Sequence, residues 1–218
     1  MIDKFVPDVA AALAGIEDGS VVLMPGFGNG MPETLLEGLI AQGAKDLTLV
    51  VNSGGRDDGP TAVLLASGRV RKLVCSFVRA DSVAGRQFAA GKLELEIVPQ
   101  GTLAERIRAA GAGVQAFYTP TGADTILAEG RETRVINGRN CLLEYPIYGD
   151  VALVDAWEAD RWGNLTHRES ARNYNPIMAM AAKLTVVQTR HVVALGDIPP
   201  ANVHTPGVFV HRVVHIPA

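Results

Sequence analysis

Two side-chain amides stand where an open α/β sheet keeps its chemistry. Asn52 follows the apolar run Leu47 to Val51, and Gln100 follows a strand reaching about Val98 that Pro99 ends. Ligands of such sheets lie outside the carboxyl ends of the strands. A side-chain amide held there can donate a hydrogen bond to a developing oxyanion. If the two strands are neighbours the amides converge, although each alone also fits a turn or a cap. Ser53 and Arg79 lie at equivalent strand ends. Arg79 has the planar fork that can hold a carboxylate by two bonds, although a solvated surface arginine is the more ordinary reading. Gly26-Phe27-Gly28-Asn29-Gly30 links a strand to a helix, which sets backbone amides and a positive dipole end near an anionic ligand. Its Gly-x-Gly-x-Gly spacing is neither a dinucleotide fingerprint nor a phosphate loop ending in Gly-Lys-Ser/Thr, and tight turning alone would explain the glycines.

Other reactive residues carry weaker patterns. His211 and His215 are four apart but in a strand-like run, and His167, His191 and His204 are scattered, so no metal site is expected. No Gly-x-Ser-x-Gly elbow occurs. Cys75 and Cys141 lack a Cys-x-x-Cys spacing and read as reduced core thiols. Glu144, Asp150 and Asp155 flank strands, and Glu144 reads as an ordinary strand residue.

The elements that position these residues are legible as periodicity. A helix over 10–16 precedes the strand at 21–24, and Pro32 suits the first position of a helix carrying Leu35, Leu36, Leu39 and Ile40. Strands follow at 47–51 and 72–78, with a helix after Asp81. Leu93, Leu95 and Ile97 alternate with Glu94 and Glu96, which predicts a half-buried strand. Thr102 and Glu105 have capping-box spacing, so a helix to Ala110 is expected, stopped by Gly111 and Gly113. Alternating strands and helices predict a three-layer α/β fold with an open, mostly parallel sheet. Beyond Ala123 the pattern changes: Asn137-Gly138 marks a tight hairpin and antiparallel additions. Further strands are expected at 151–154, 184–188 and 208–214, with a helix around 178–182.

The 218 residues show no repeat or linker, and one domain over 1–218 is expected. With 20 Lys and Arg against 23 Asp and Glu, the net charge of -3 argues against nucleic acid as a partner. The first residues lack a basic region followed by an apolar run, and no apolar stretch approaches membrane-spanning length. A cytoplasmic protein is expected.

Three stretches carry a family resemblance: Pro99-Gln100-Gly101-Thr102-Leu103-Ala104-Glu105-Arg106-Ile107-Arg108; Gly-Ala-Gly-Val-Gln-Ala-Phe-Tyr at 111–118; and Gly163-Asn164-Leu165 with Ser170-Ala171-Arg172-Asn173-Tyr174-Asn175. With them the chain resembles, over nearly its full length, the A subunit of family I CoA-transferases of the 3-oxoacid and 3-oxoadipate type. The resemblance implies an open sheet like that of ribose-5-phosphate isomerase. It also implies ping-pong transfer of CoA between carboxylic acids, such as succinyl-CoA and a 3-oxoacid, through a glutamate nucleophile. That glutamate belongs to a Ser-Glu-Asn-Gly motif of the B subunit, and this chain contains no Glu-Asn-Gly. The expected partner is therefore a B subunit, in a heterotetramer or larger assembly. CoA enters as substrate, and no cofactor is expected. By the same resemblance Asn52 and Gln100 are the catalytic amides, and Gly26, Phe27, Gly28, Asn29 and Gly30 belong to the CoA site. Ser53 and Arg79 are candidates for binding CoA or the acyl group. Pro25 in place of a family glycine, a loop one residue shorter, Gln188 in place of a common glutamate, and Phe77-Val78-Arg79-Ala80-Asp81 depart from the pattern and leave the acyl substrate open. A stand-alone sugar-phosphate isomerase or deaminase, or a non-catalytic acyl-CoA binder, are the alternatives on such a sheet.

Overall fold

A computed structural model describes residues 2–216. The chain forms α1 (Val9–Leu13), β1 (Val21–Met24), α2 (Glu33–Gln42), β2 (Leu47–Val51), α3 (Pro60–Ala66), β3 (Val70–Cys75), α4 (Val83–Ala89), β4 (Glu94–Ile97) and α5 (Gln100–Ala112). There follow β5 (Phe117–Thr119), β6 (Thr133–Ile136), β7 (Arg139–Glu144), β8 (Gly149–Ala159), β9 (Leu165–Thr166), α6 (Asn175–Ala181), β10 (Ala182–Val192) and β11 (Arg212–His215). The main sheet has the order β11-β10-β8-β1-β2-β3-β4, all parallel, with β9 antiparallel to β8.

Both faces of this sheet are covered, as the near-continuous apolar strands require. Leu47, Leu49 and Val51 of β2 pack with Leu35, Leu39 and Leu64 on one face. Val50 packs on the other with Leu103, Ile107 and Met178. The same alternation divides β1 and β8, so three layers result, as expected from the sequence. Gly111 lies inside α5, where a Cβ would stand 2.6 Å from that of Met180, so it serves close packing of α5 on α6 and does not stop the helix. Gly113 alone ends it, at φ 73°.

The expected capping box is absent. Pro99, at φ −51°, turns the chain directly from β4 into a helix that begins at Gln100 without a side-chain cap. Thr102 is buried, and Glu105 pairs with Arg108 at 2.8 Å. Because β4 is the sheet edge, Leu95 is only half-buried and Ile97 is 42% exposed. Its Glu96 is held by Lys72 at 2.7 Å and Arg106 at 2.9 Å. The strand expected at 208–214 shortens to β11, because Gly207–Phe209 coils into a 3-10 turn after Pro206. The first helix stops at Leu13, the third strand runs from Val70 to Cys75, and Pro32 caps α2 from outside it.

Asn137 and Gly138 both adopt left-handed φ, 50° and 73°, between β6 and β7, as a two-residue hairpin turn demands. With β5 these strands make a separate antiparallel sheet. Glu144 is no ordinary strand residue: its buried carboxylate lies 2.8 Å from Arg131 and 3.7 Å from Arg106 of α5, tying the small sheet to the main body.

His167 is buried after β9. Its Nδ1–H donates to the Asp155 carbonyl and its Nε2 accepts from Thr205 Oγ1, each at 2.9 Å. Burial lowers its pKa to about 4, and it lowers those of His204 and His211 as well. A histidine held neutral in the fold but free to protonate when unfolded makes stability fall with acidification. Stability should be undiminished above about pH 6.5, fall below it, and lose up to about 3 kcal/mol from His167 by pH 4. Urea unfolding between pH 4 and 7 measures this; a flat profile would contradict the buried neutral ring.

Candidate active site

The carboxyl ends of four adjacent strands are stitched together beyond the regular sheet. Asn52 N donates to the Pro25 carbonyl at 3.1 Å, Ser76 N to that of Asn52 at 2.9 Å, and Val98 N to that of Cys75 at 2.9 Å. Asn52 is therefore fixed from both sides and is 7% exposed. Gln100, two residues past Val98, opens α5. Its Nε2 donates to Asn52 Oδ1 at 2.9 Å.

The two amides thus converge although β2 and β4 are not neighbours; β3 lies between them and ends just short of the small residue Ser76. They are not two parallel donors. Gln100 gives one of its two amide N–H groups to Asn52 Oδ1, while Asn52 Nδ2 has no partner for either of its own among the described residues. Cys75, the last residue of β3, supplies bulk and not reactivity: burial pushes its thiol up to about 11, so it is no thiolate at neutral pH.

The Gly26 to Gly30 loop lies between two cavities. The larger, about 820 Å³, is lined by Gly26, Gly28, Ser53 and Arg79 together with the 54–61 loop. The smaller, about 620 Å³, is lined by Gly28, Asn29 and Gly30 together with Asp155, Arg168 and Arg190. Phe27 lines neither and is 47% exposed. Asn52 and Gln100 also lie outside both linings, adjoining the larger cavity through Ser53. Ser53 Oγ reaches the Gly26 carbonyl at 3.5 Å. Arg79 does present a bidentate fork, but to Asp81, with both bonds at 3.0 Å and both side chains exposed. Such an exposed pair is worth little and yields readily to another carboxylate.

Sequence reasoning missed what holds the loop. Asn173 Nδ2 donates to the carbonyls of Phe27 at 2.8 Å, Asn29 at 3.2 Å and Ser170 at 2.6 Å. Asn175, fully buried, donates to Gly30 at 3.1 Å and Ala171 at 2.8 Å, while its Oδ1 accepts Asp155 N at 2.9 Å. Gly30 itself, at φ 88°, admits no Cβ, which would stand 2.8 Å from Asn175 Nδ2. Between these two asparagines, the Tyr174 hydroxyl donates to the Gln100 carbonyl at 3.3 Å. The segment 173–175 therefore ties both halves of the site. The sequence signal was the stretch Ser170 to Asn175 itself, one of those that carry the family resemblance, with three consecutive hydrogen-bonding side chains at the start of a helix. Asp155 and Gln188 also pair, at 2.8 Å, in the smaller cavity, where burial raises the Asp155 pKa.

Among the described residues no three His, Cys, Asp or Glu side chains gather into a metal-holding group, and no helix is long and apolar enough to cross a membrane. The family model for coenzyme A transferases matches residues 6–215. The A subunit of the 3-oxoadipate CoA-transferase of Pseudomonas putida is 54% identical, over 99% of this chain and 95% of its own. The A subunit of a probable succinyl-CoA:3-ketoacid coenzyme A transferase of Bacillus subtilis is 49% identical, over 91% of this chain and 84% of its own. The acyl-CoA transferase of E. coli O157:H7, solved as a thioester complex with CoA, shares the fold with a TM-score of 0.86 at 20% identity. That likeness covers 99% of this chain and 47% of the other.

Proposed function

This chain belongs to the coenzyme A transferase family, as an A subunit, and from that premise we propose that it works with a B subunit to exchange CoA between succinyl-CoA and a 3-oxoacid. Membership sets aside the sugar-phosphate isomerase and the non-catalytic binder. In the proposed reaction a glutamate carboxylate of the B subunit attacks the thioester carbonyl. The carbonyl oxygen becomes an oxyanion, CoA leaves as thiolate, and an acyl-glutamyl anhydride remains. The thiolate then attacks the glutamyl carbonyl and expels the donor's carboxylate. The resulting glutamyl-CoA thioester passes CoA to the acceptor acid by the reverse steps.

The observation that supports this reading is the bond from Gln100 Nε2 to Asn52 Oδ1, which frees and orients Asn52 Nδ2 at the sheet's carboxyl edge. A neutral donor suits an oxyanion formed by an anionic nucleophile, because it stabilises the one without repelling the other. The glycine loop, with Ser53 beside it, holds CoA in the cleft. The assembly we propose is a heterotetramer or larger. Purification from the native cells with determination of mass and subunit content, followed by succinyl-CoA exchange with and without the copurifying chain, tests this. A stoichiometric second chain that switches on transfer is the expected result; a homo-oligomer inert towards acyl-CoA overturns it.

Arg79 is assigned the distal carboxylate of a dicarboxylic acyl group, which displaces Asp81 from its fork. Arg79→Ala should lower kcat/KM for dicarboxylic acids by about tenfold and leave monocarboxylic acids unaffected. Equal effects on both classes would remove the assignment.

A further inference from the structure

The carbonyls of the glycine loop are tied, that of Gly28 excepted, while most of its amides are open. Among its carbonyls, Pro25 accepts from Asn52 N, Gly26 from Ser53 Oγ, Phe27 and Asn29 from Asn173, and Gly30 from Asn175. Among its amides, Gly26 N meets Met31 Sδ, while those of Phe27, Gly28, Asn29 and Gly30 have no acceptor among the described residues. A trans peptide is planar and its N–H points opposite to its C=O. Turning the Phe27 carbonyl onto Asn173 therefore turns the Gly28 N–H away from it, and the Asn29 carbonyl does the same for the Gly30 N–H. Gly28 lines both cavities, and Gly30, with Asn29, lines the smaller.

We infer that Asn173 is the positioning residue that presents Gly28 and Gly30 N–H as paired donors to an anionic group of the substrate. One side-chain amide holds two alternate peptides, so both donors are set by a single group that touches no substrate. Successive amides presented from a concave loop bind phosphate or carboxylate oxygens. Glu33, Asp155 and Glu169 oppose an anion in the smaller cavity, where Arg168 and Arg190 favour one; in the larger, Arg56 and Arg79 stand against Glu33, Asp57 and Asp58. Either the CoA phosphates or the free carboxylate of the acyl group supplies the anion. The inference rests on the proposed transfer reaction and adds the residue that shapes its binding loop.

The test is Asn173→Ala in the assembled enzyme with its B subunit. KM for succinyl-CoA should rise about tenfold with kcat within about twofold, since the bonds lost orient the binding loop and not the amide pair. If the anion is phosphate, the KM penalty vanishes with succinyl-pantetheine; if it is the acyl carboxylate, it vanishes with butyryl-CoA. A penalty that persists with both probes, an unchanged KM, or a loss confined to kcat overturns the inference. Where Asn173→Ala does not assemble, Asn173→Ser, which keeps one donor, carries the same comparison. Failure of the wild-type assembly to transfer CoA at all would instead strike the proposed reaction.

Discussion

Asn52→Ala is expected to lower kcat for CoA transfer by about 10²- to 10³-fold, the usual loss when one oxyanion donor is removed, while KM for acyl-CoA changes little. The expectation follows from the division of labour in the amide pair. Asn52 Nδ2 is the free donor, and Gln100 serves it by holding Oδ1 at 2.9 Å. Gln100→Ala should therefore cost less, about tenfold, because it loosens a donor without deleting one. Asn52→Asp should be at least as damaging as alanine. Its carboxylate keeps the acceptor for Gln100 but offers an anion to an oxyanion. Steady-state kinetics of the three variants in the assembled enzyme decide the matter. If Asn52→Ala turns over normally, or Gln100→Ala is the worse of the two, the assigned roles are wrong.

Asn175→Ala should be strongly destabilising. Its side chain is fully buried and makes three hydrogen bonds, to Asp155 N, the Gly30 carbonyl and the Ala171 carbonyl. Truncation strands a buried amide and two carbonyls, each costing about 1–3 kcal/mol when unsatisfied, so a total of about 4 kcal/mol is expected. For a chain of this size that lowers Tm by about 10 °C. Asn175→Asp should be worse still, since it replaces the amide N–H donors by an oxygen facing two carbonyls in a dry pocket. Calorimetric melting of the three proteins measures the order. A Tm within about 2 °C of wild type for Asn175→Ala would show that the pocket relaxes and the knot adds little.

Local residue patterns exposed part of this architecture and hid the rest for identifiable reasons. β2 could be read to the residue, because five consecutive buried positions need no long-range information. The Asn137-Gly138 turn was equally plain, since few other residue pairs accept two left-handed conformations. The capping box at Thr102 failed because Pro99 had already set the entry into the helix, a competition that spacing alone does not rank. The edge position of β4 depends on which strands lie beside it, so the exposure of Ile97 could not be foreseen. Asn52 and Gln100 stand out in the sequence from their places at strand ends, and they do meet. That one donates to the other depends on a hydrogen bond spanning 48 residues. Asn173 reaches Phe27 across 146 residues, and nothing near either position announces the contact.

The strand order has a consequence for how the chain must be born. β1 lies between β2 and β8, so its apolar edge, Val21 to Met24, stays bare until Gly149–Ala159 has been synthesised. Phe5 then bridges to Val213, nearly the whole chain later. A nascent chain holding only β1 to β4 therefore carries an unpaired hydrophobic edge of the kind that recruits other strands. The ribosome and its attendant chaperones must keep that edge from neighbouring nascent chains, since the strand that closes it arrives only after β2 to β7 have been made.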